Sequence, residues 1–283
     1  MKFKRIIPRL DIKGKDLVKG IHLEGLRVLG DPEEYALKYS EMGADEIIYQ
    51  DVVASLYGRN SILDLVSRTA RNCFIPLTVG GGIRDLNDIE SLLRSGADKV
   101  SINTAAINNP SLIEEASKTF GSSTIVVAIE AIFYQNKYLA FTDNGREQTG
   151  IEVLQWVKEA QNRGAGEILL TSIDKEGTGK GFKSDLIREV SKIITIPLII
   201  HGGAGSVNHL IEIEKVARID AFAVASLFHY SLLERNLITQ KRSETGNTSF
   251  LDKKTKYGEF QSSSIKEAKD ALTKAGVLVR DKW

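Results

Sequence analysis

The sequence predicts an α/β protein, a (β/α)8 TIM barrel built from two related half-barrels. Three observations lead to this prediction. Residues 75–82 (IPLTVGGG) and 196–203 (IPLIIHGG) nearly repeat each other, and each is typical of a buried strand that opens into a glycine turn. Eight apolar runs alternate with helical patterns, as in repeated βαβ units. The length of 283 residues suits one barrel domain that spans residues 1–283.

The eight apolar runs are predicted to be parallel strands, with a helix after most of them. Residues 60–61 (NS) supply the cap of a helix whose apolar side chains share one face. Asp85 caps the next helix, which Gly96 ends. An open doubly wound sheet is the alternative, but its G-x-G-x-x-G turn is missing and the two halves repeat. The predicted strands end near Asp11, Asp51, Gly80, Ile102, Glu130, Ser172, Ile200 and Ala225.

Two segments interrupt this order. Residues 131–142 alternate apolar and aromatic residues around a polar turn, which predicts a β-hairpin after the fifth strand, over the barrel mouth. Residues 239–262 form a polar insertion before a final helix. We interpret the insertion as a solvated surface loop, with a lid or a partner-binding segment as the alternative.

Composition limits the class of function. The formal net charge of +1 gives no reason to expect nucleic acid or an anionic membrane as a partner. The single cysteine, Cys73, cannot form an internal disulfide and is predicted to be a packing residue. No apolar run has the length of a membrane span or signal region, so a cytoplasmic enzyme is expected. The four histidines show no metal-ligand spacing, and neither a metal nor another cofactor is predicted.

Two carboxylates end predicted strands that face each other across the barrel. Asp11 ends the first strand and Glu130 ends the fifth. Catalytic groups of such barrels lie at the carboxyl ends of the strands. The two acids are therefore predicted to be a proton acceptor and a proton donor on opposite sides of one substrate. The alternative is that each only bonds a neighbouring lysine or caps a turn.

The two glycine turns are predicted to bind phosphate groups. Glycine lets an anion approach backbone N–H groups closely, and a helix start beyond each turn would add donors and a favourable dipole. Tight turns without a ligand are the alternative. Lys19, in the first long loop, is predicted to neutralise substrate charge. The predicted phosphate-binding and substrate-binding residues are Lys19, Gly81, Gly82, Asn103, Thr104, Thr171, Gly177, Gly202, Gly203, Ala225 and Ser226.

Several longer runs resemble one known family, the cyclase subunit of imidazole glycerol phosphate synthase. The resemblance covers about residues 1–230 and the last helix, and it is far more specific than a generic barrel pattern. The runs that carry it are residues 4–8 (KRIIP) with 10–11 (LD), 78–83 (TVGGGI), 96–106 (GADKVSINTAA) and 164–174 (GAGEILLTSID).

The resemblance implies a lyase/cyclase of histidine biosynthesis that takes ammonia from a glutaminase partner. Such an enzyme converts a bisphosphorylated formimino-ribulosyl aminoimidazole carboxamide ribotide into imidazole glycerol phosphate and an aminoimidazole carboxamide ribotide. It also implies that Asp11 and Glu130 are the acid/base pair. A ring of charges that gates an ammonia passage at the barrel bottom is matched by Arg5, Glu46, Lys99 and Glu167. A self-satisfied cluster of ion pairs is the alternative for these four residues.

The chain departs from the family pattern around the predicted pocket. Glu130 stands where the family has an aspartate, and Glu176 stands at another aspartate position. Arg9 replaces a small residue two positions before Asp11, on the same inward face, and His201 replaces a serine before the second pair of glycines. Arg9, Glu176 and His201 are therefore predicted to alter specificity.

Three hypotheses for the function remain open. The first is the histidine-pathway cyclase. The second is a related ammonia-dependent synthase that amidates a surface-polysaccharide sugar, in which Arg9 and His201 bind a different phosphorylated or carboxylated substrate. The third is a docking scaffold and ammonia conduit without catalysis of its own. All three predict a glutaminase partner.

Overall fold

Eight parallel strands close into a barrel. The computed structural model describes residues 2–54, 62–239 and 258–280. Each barrel strand pairs in parallel with two neighbours, and the last strand pairs with the first. The predicted (β/α)8 barrel is therefore confirmed. In chain order the barrel strands are β1 (Arg5–Lys13), β4 (Ile47–Asp51), β5 (Leu77–Gly80), β6 (Lys99–Ile102), β7 (Ile125–Tyr134), β10 (Glu167–Ser172), β11 (Leu198–His201) and β12 (Ala221–Val224).

Each half of the barrel carries an antiparallel excursion after its first strand. β1 continues into the hairpin of β2 (Asp16–Ile21) and β3 (Glu24–Gly30). β7 likewise continues into β8 (Lys137–Thr142) and β9 (Glu147–Glu152). The sequence indicates the turn at residues 135–136, but it misses both β9 and the whole β2–β3 hairpin. The prediction that Lys19 lies in a loop is thus wrong, because Lys19 lies in β2.

Helices connect the barrel strands on the outside. Asp85 caps its helix as predicted, since its Oδ1 accepts hydrogen bonds from the N–H groups of Asn87 and Asp88. The cap predicted at residues 60–61 lies outside the described residues. The helices are α1 (Pro32–Glu41), α2 (Leu63–Asn72), α3 (Leu86–Arg94), α4 (Thr104–Asn108), α5 (Ser111–Phe120), α6 (Val153–Asn162), α7 (Ser184–Ile193), α8 (Val207–Val216), α9 (Ser226–Glu234) and α10 (Ile265–Lys274).

The alternation of side chains along each strand separates two apolar regions. Ile6, Leu10 and Ile12 of β1 point outward and pack in the main core between the strands and the helices. Ile7 points inward, into a second apolar cluster that fills the middle of the barrel. The other members of that cluster are Ile48, Val126, Ala128, Leu169, Ile199, Ala221 and Ala223. The charged inward residues of β1, Arg5 at one end and Arg9 and Asp11 at the other, thus lie on either side of this cluster.

The remaining predictions concern the surface and the insertion. Among the described helices, none is both long and apolar enough to cross a bilayer. Cys73 is buried without a disulfide partner, and burial raises the pKa of its thiol. Most of the predicted insertion at 239–262 falls on residues 240–257, which lie outside the described residues. Its last part, residues 258–262, is described and packs on the barrel mouth.

Candidate active site

Asp11 lies at the carboxyl end of β1 with both carboxylate oxygens in ion pairs. Its Oδ1 accepts a hydrogen bond from Nε of Arg9 at 3.0 Å, and its Oδ2 accepts one from Nζ of Lys19 at 3.1 Å. All three side chains are buried, Asp11 to 1% exposure. Burial would raise the pKa of Asp11, but the two cations outweigh it and hold that pKa well below its usual range. Asp11 is thus ionised at neutral pH.

Lys19 connects Asp11 to a second acid. Its ammonium contacts Oε1 of Glu176, which lies in the loop after β10. The other oxygen of Glu176 accepts the N–H of Leu23 at 3.1 Å, which fixes the β2–β3 hairpin against that loop. Burial would lower the pKa of Lys19, but the charges of Glu176 and Asp11 outweigh burial and raise it. The chain places Lys19 in the site through β2, although its charge is already balanced by protein acids.

Arg9 lies across the barrel interior above the apolar cluster. Besides Asp11, its guanidinium donates from Nη1 to Oγ1 of Thr171, on the far side in β10, at 3.2 Å. Its charge also lowers the pKa values of Glu130 and His201, so the guanidinium lies close to β7 and β11 as well. The three predicted specificity residues therefore share one polar layer: Arg9 and His201 are inward-facing, and Glu176 lies within 3.9 Å of the His201 ring.

Glu130 has the opposite electrostatic character to Asp11. It is buried at the end of the inward row of β7, and its Oε2 has no hydrogen-bond partner among the described residues. Burial raises its pKa to about 7, against the lowering effects of Arg9 and of the backbone N–H of Gly145. Asp143 and Asp11 add smaller raising effects. Glu130 can therefore hold or release a proton near neutral pH.

His201 is a neutral imidazole in this site. Its Nδ1 lies 2.9 Å from the carbonyl oxygen of Ala223, and its Nε2 is buried without a partner among the described residues. Burial, followed by the charges of Arg9 and Lys19, lowers its pKa well below the usual value. A carbonyl oxygen can only accept, so in the neutral ring Nδ1 carries the proton and donates to Ala223, and Nε2 is left as an acceptor without positive charge.

The first glycine turn opens on the larger cavity of the barrel mouth. This cavity of about 300 Å³ is lined by Gly81, Gly82, Asn103, Thr104 and Glu130 among others. Asn103 donates from Nδ2 to the carbonyl oxygen of Phe141 at 3.1 Å, so the β8–β9 excursion closes one side. The structure thus brings the first predicted phosphate site and one predicted catalytic acid to the same cavity.

The second glycine turn surrounds a much smaller space. Its cavity of about 10 Å³ is lined by Lys19, Glu176, Gly177, His201, Gly202, Gly203, Ala225 and Ser226, together with Phe260. α9 begins at Ser226, as α4 begins at Thr104 in the first half. Asp11, Arg9 and Thr171 line neither cavity. They lie in the polar layer whose charges act on groups of both cavities.

The two glycine turns are geometrically equivalent, and packing alone requires their first glycines. A Cβ atom on Gly81 would lie 2.2 Å from the carbonyl oxygen of Asp51, which ends β4. A Cβ atom on Gly202 would lie 2.5 Å from the carbonyl oxygen of Ser172, which ends β10. Both glycines also have positive φ angles, +99° and +94°. The tight-turn alternative therefore explains these positions, and anion binding by the same backbone stays a prediction.

Gly81→Ala is expected to lower the free energy of unfolding by about 3 kcal/mol or more, because it combines a positive φ with a collision against backbone. Gly121→Ala is the matched control: its φ is +89°, but no atom lies within 4 Å of the added Cβ. The control is expected to lose about 1 kcal/mol. Urea unfolding followed by circular dichroism measures both. Equal losses would show that contact with Asp51 contributes nothing.

A closed ring of four charges occupies the opposite end of the barrel. Arg5 pairs with Glu46 at 2.6 Å and with Glu167 at 2.9 Å. Lys99 pairs with the same two acids at 2.9 and 2.8 Å. Burial would raise the pKa of Glu167, but Arg5 and Lys99 lower it, so the acid is ionised. The structure thus brings together all four residues predicted to form a gate, directly below the apolar interior.

Sequence reasoning misses several residues that line the larger cavity. Asp51 ends β4, so the rule that selects Asp11 and Glu130 could also have selected it. Asp143 and Asn144 have φ angles of +52° and +59° in the turn before β9, and the run Asp143-Asn144-Gly145 is a turn signal that could have been used. The remaining polar lining residues missed are Gln50, Arg84, Ser101, Asn108 and Asn109.

The fold and the site define a (β/α)8 barrel protein with a polar pocket for a small molecule at the carboxyl ends of its strands. Residues 5–234 match the family described as "Histidine biosynthesis protein", and the chain belongs to that family.

Two relatives are similar to most of the chain. The chain is 57% identical to "Imidazole glycerol phosphate synthase subunit HisF" of Legionella pneumophila over 205 residues. The aligned region covers 72% of this chain and 97% of the relative. The chain is 50% identical, over 228 residues, to the protein of the same name from Bacillus cereus strain AH187, which covers 80% of this chain and 90% of the relative. The predicted resemblance is thereby confirmed.

Proposed function

We propose that the chain is the ammonia-dependent cyclase subunit of imidazole glycerol phosphate synthase. It converts the formimino-ribulosyl aminoimidazole carboxamide ribotide into imidazole glycerol phosphate and aminoimidazole carboxamide ribotide. The match of residues 5–234 to the histidine-biosynthesis family carries this choice of reaction. The site agrees with it, because two carboxyl groups on opposite barrel strands have pKa values displaced in opposite directions. Such a pair is suited to divide proton acceptance and proton donation between its members.

The roles follow from the environment of each acid. Glu130 has a pKa of about 7, so it can carry the proton that is donated and take it back in the next cycle. Asp11 is ionised, but Arg9 and Lys19 make it a weak base in the ligand-free protein. A substrate anion that draws Lys19 away from Asp11 would raise the pKa of Asp11 and make it a better proton acceptor.

The charged ring and the apolar interior support delivery of ammonia from a glutaminase partner. Neutral ammonia can pass an apolar interior, whereas water and ions are disfavoured there. Phe3 and Phe74 flank the ring end of the barrel and are 56% and 87% exposed, which suits a protein contact. The names of the relatives describe subunits, which agrees with a partner. A cytoplasmic location is part of the proposal.

The direct test supplies the purified chain with the formimino-ribulosyl ribotide and a large excess of an ammonium salt near pH 7, where part of the Glu130 population still holds its proton. Formation of imidazole glycerol phosphate, followed by mass spectrometry, is the expected result. External ammonium replaces the partner, so the test does not depend on finding the glutaminase. A folded chain that forms no product would eliminate this function.

Glu167→Gln is expected to lower the activity with glutamine far more than the activity with ammonium. It removes one charge from the ring and leaves Arg5 and Lys99 sharing Glu46, so the gate loses its closed arrangement. Activity with glutamine and the glutaminase should fall about 10-fold or more, while activity with ammonium should change less than about 2-fold.

The matched control for that variant is Glu114→Gln, which removes an exposed acid paired with Lys118 on α5. It should leave both activities unchanged, since exposed pairs contribute little. If Glu167→Gln instead lowered both activities equally, the ring would be structural only.

A second candidate function has a specific observation in its favour. Arg9 holds Asp11 at 3.0 Å and Thr171 at 3.2 Å, in the layer next to both cavities. Its planar guanidinium suits recognition of a carboxylate or phosphate. This favours an ammonia-dependent synthase that acts on a different phosphorylated or carboxylated substrate, and we infer a surface-polysaccharide sugar as the compound that it amidates. The ammonium assay separates the two, because the synthase forms no imidazole glycerol phosphate.

A further inference from the structure

A short segment crosses the barrel mouth beside the second glycine turn. Residues 258–261, called the strap below, lie between two loops of the carboxyl-end face. The N–H of Glu259 donates to the carbonyl oxygen of Thr178 at 2.9 Å, and the N–H of Gln261 donates to that of Gly205 at 2.7 Å. Thr178 lies in the loop after β10 and Gly205 in the loop after β11. The strap therefore joins these two loops.

The strap packs against glycines of the two loops that it joins. A Cβ atom on Gly179 would lie 2.1 Å from the carbonyl oxygen of Glu259, and one on Gly205 would lie 2.4 Å from the same atom. On the strap itself, a Cβ atom on Gly258 would lie 2.7 Å from the carbonyl oxygen of Gly177. Side chains on any of these residues would prevent the approach. The close contact is thus specified by sequence on both sides.

Phe260 of the strap closes the space that the second glycine turn surrounds. It lines the cavity of about 10 Å³ there, and its ring packs on Tyr230 with the centroids 5.4 Å apart. A space of that size holds about one water molecule. A phosphate group, with four oxygens, does not fit until Phe260 moves. Among the described residues no comparable aromatic ring covers the first glycine turn, whose cavity is about 300 Å³.

The polar groups behind Phe260 can bind a phosphate group that carries one proton. Lys19 lines the cavity with a buried ammonium that pairs with Asp11 and Glu176, and His201 lines it with a ring whose Nε2 can accept a hydrogen bond from a protonated phosphate oxygen and has no hydrogen-bond partner among the described residues. His201 is only 3% exposed. A buried polar atom without a partner is uncommon and indicates a group that a ligand completes.

We propose that Phe260 and the strap are a specificity-determining closure of the second glycine turn. In the ligand-free protein Phe260 takes the position of the anion, and a phosphate group of the substrate binds there by displacing it. The inference rests on the proposed use of that turn as a phosphate site, but not on the reaction. The family match ends at residue 234, so the strap lies outside the part of the chain that it covers. Ligands whose second end carries no strong anion leave the closure in place.

Hydrogen exchange on the wild-type chain tests the displacement with inorganic phosphate as the probe. Phosphate should speed exchange of the Glu259 and Gln261 amides, because both lose their acceptors when the strap leaves. It should also shift the NMR signals of the His201 ring. Unchanged or slower exchange of both amides at a concentration that shifts His201 would overturn the proposal.

Phe260→Ala tests whether the Phe260 ring competes with phosphate for the second glycine turn. Removal of the ring should tighten phosphate binding at the second turn about 10-fold, measured by the His201 shift, because the closed state no longer competes. Phe133→Ala, which removes an exposed phenylalanine from the β7–β8 hairpin, should leave the affinity unchanged. Equal or weaker binding by Phe260→Ala would overturn the proposal. Neither result affects the ammonium assay, which tests the reaction itself.

Discussion

Asp11→Asn is expected to lower kcat with ammonium as the nitrogen source by about 10²–10⁴-fold. Asparagine keeps the shape of the side chain but cannot accept a proton. It also removes the charge that holds Arg9 at 3.0 Å and Lys19 at 3.1 Å. The assay follows imidazole glycerol phosphate at saturating ribotide, so the comparison reports the chemical steps rather than binding.

The same variant also tests the buried charge cluster. Removal of one partner from a buried ion pair destabilises a protein by roughly 3–5 kcal/mol. Asp11→Asn should therefore unfold at lower urea, and its folded fraction must be measured alongside its rate. Asp64→Asn makes the same change at an exposed position on α2 and should alter neither quantity measurably.

These results separate an enzyme from a docking scaffold. A scaffold would keep stimulating its glutaminase and supporting amidation after Asp11→Asn, provided that the variant is folded. Retention of full ammonium-dependent activity by the folded variant would show that Asp11 is not part of the chemistry.

Glu130→Gln is expected to lower kcat by about 10²–10⁴-fold and to change the pH dependence of the rate. The wild-type rate should fall above about pH 7, where Glu130 loses the proton that it donates. Glutamine has no ionisation in this range, so the residual activity should lose that step. A Glu130→Gln rate that keeps the step near pH 7 would assign it to another group.

The raised pKa of Glu130 has a consequence for stability with a definite sign. Its carboxyl binds a proton up to about pH 7 when folded, but only up to about pH 4.5 when unfolded. The folded state holds more protons between these values, so the contribution of Glu130 to stability falls as the pH rises through this window.

Glu130→Gln should therefore be the more stable protein at pH 8, by at most about 3 kcal/mol. The difference should vanish near pH 4. Urea unfolding at the two pH values measures it, and Glu114→Gln on α5 is the control. A variant less stable than wild type at pH 8 would contradict the prediction that the buried, ionised carboxylate of Glu130 destabilises the folded protein.

The sequence predicts the barrel well because its signals are local and repeated. Each strand is a short apolar run, and Gly80, Ile102 and Ser172 end their strands at the predicted residues. The repeat of the glycine turns has a physical cause, since Gly81 and Gly202 both pass against the carbonyl oxygen that ends the preceding barrel strand. Such close backbone contacts require glycine, so they can be recognised from the sequence.

The arrangement of the site could be predicted only in part. The alternation of side chains places Arg9 and Asp11 on the inward face, but it does not reveal that Arg9 spans to Thr171. Lys19 reaches the site because β2 folds back on β1, and its β-hairpin carries no strong turn signal. The two glycine turns have equivalent sequences, yet in the described part of the chain their cavities differ in volume, about 300 Å³ against about 10 Å³. The smaller cavity is lined in part by Phe260, which is distant in sequence and joins the site through tertiary contacts.

A crystal structure of Asp11→Asn with the bisphosphorylated ribotide would test the proposed mode of action most directly. One phosphate is expected at Gly81-Gly82 and the other at Gly202-Gly203, with Phe260 displaced. The side chains at positions 11 and 130 should lie on opposite sides of the reacting atoms. Both phosphates bound outside the glycine turns, or a ligand that contacts neither side chain, would contradict the proposed catalysis.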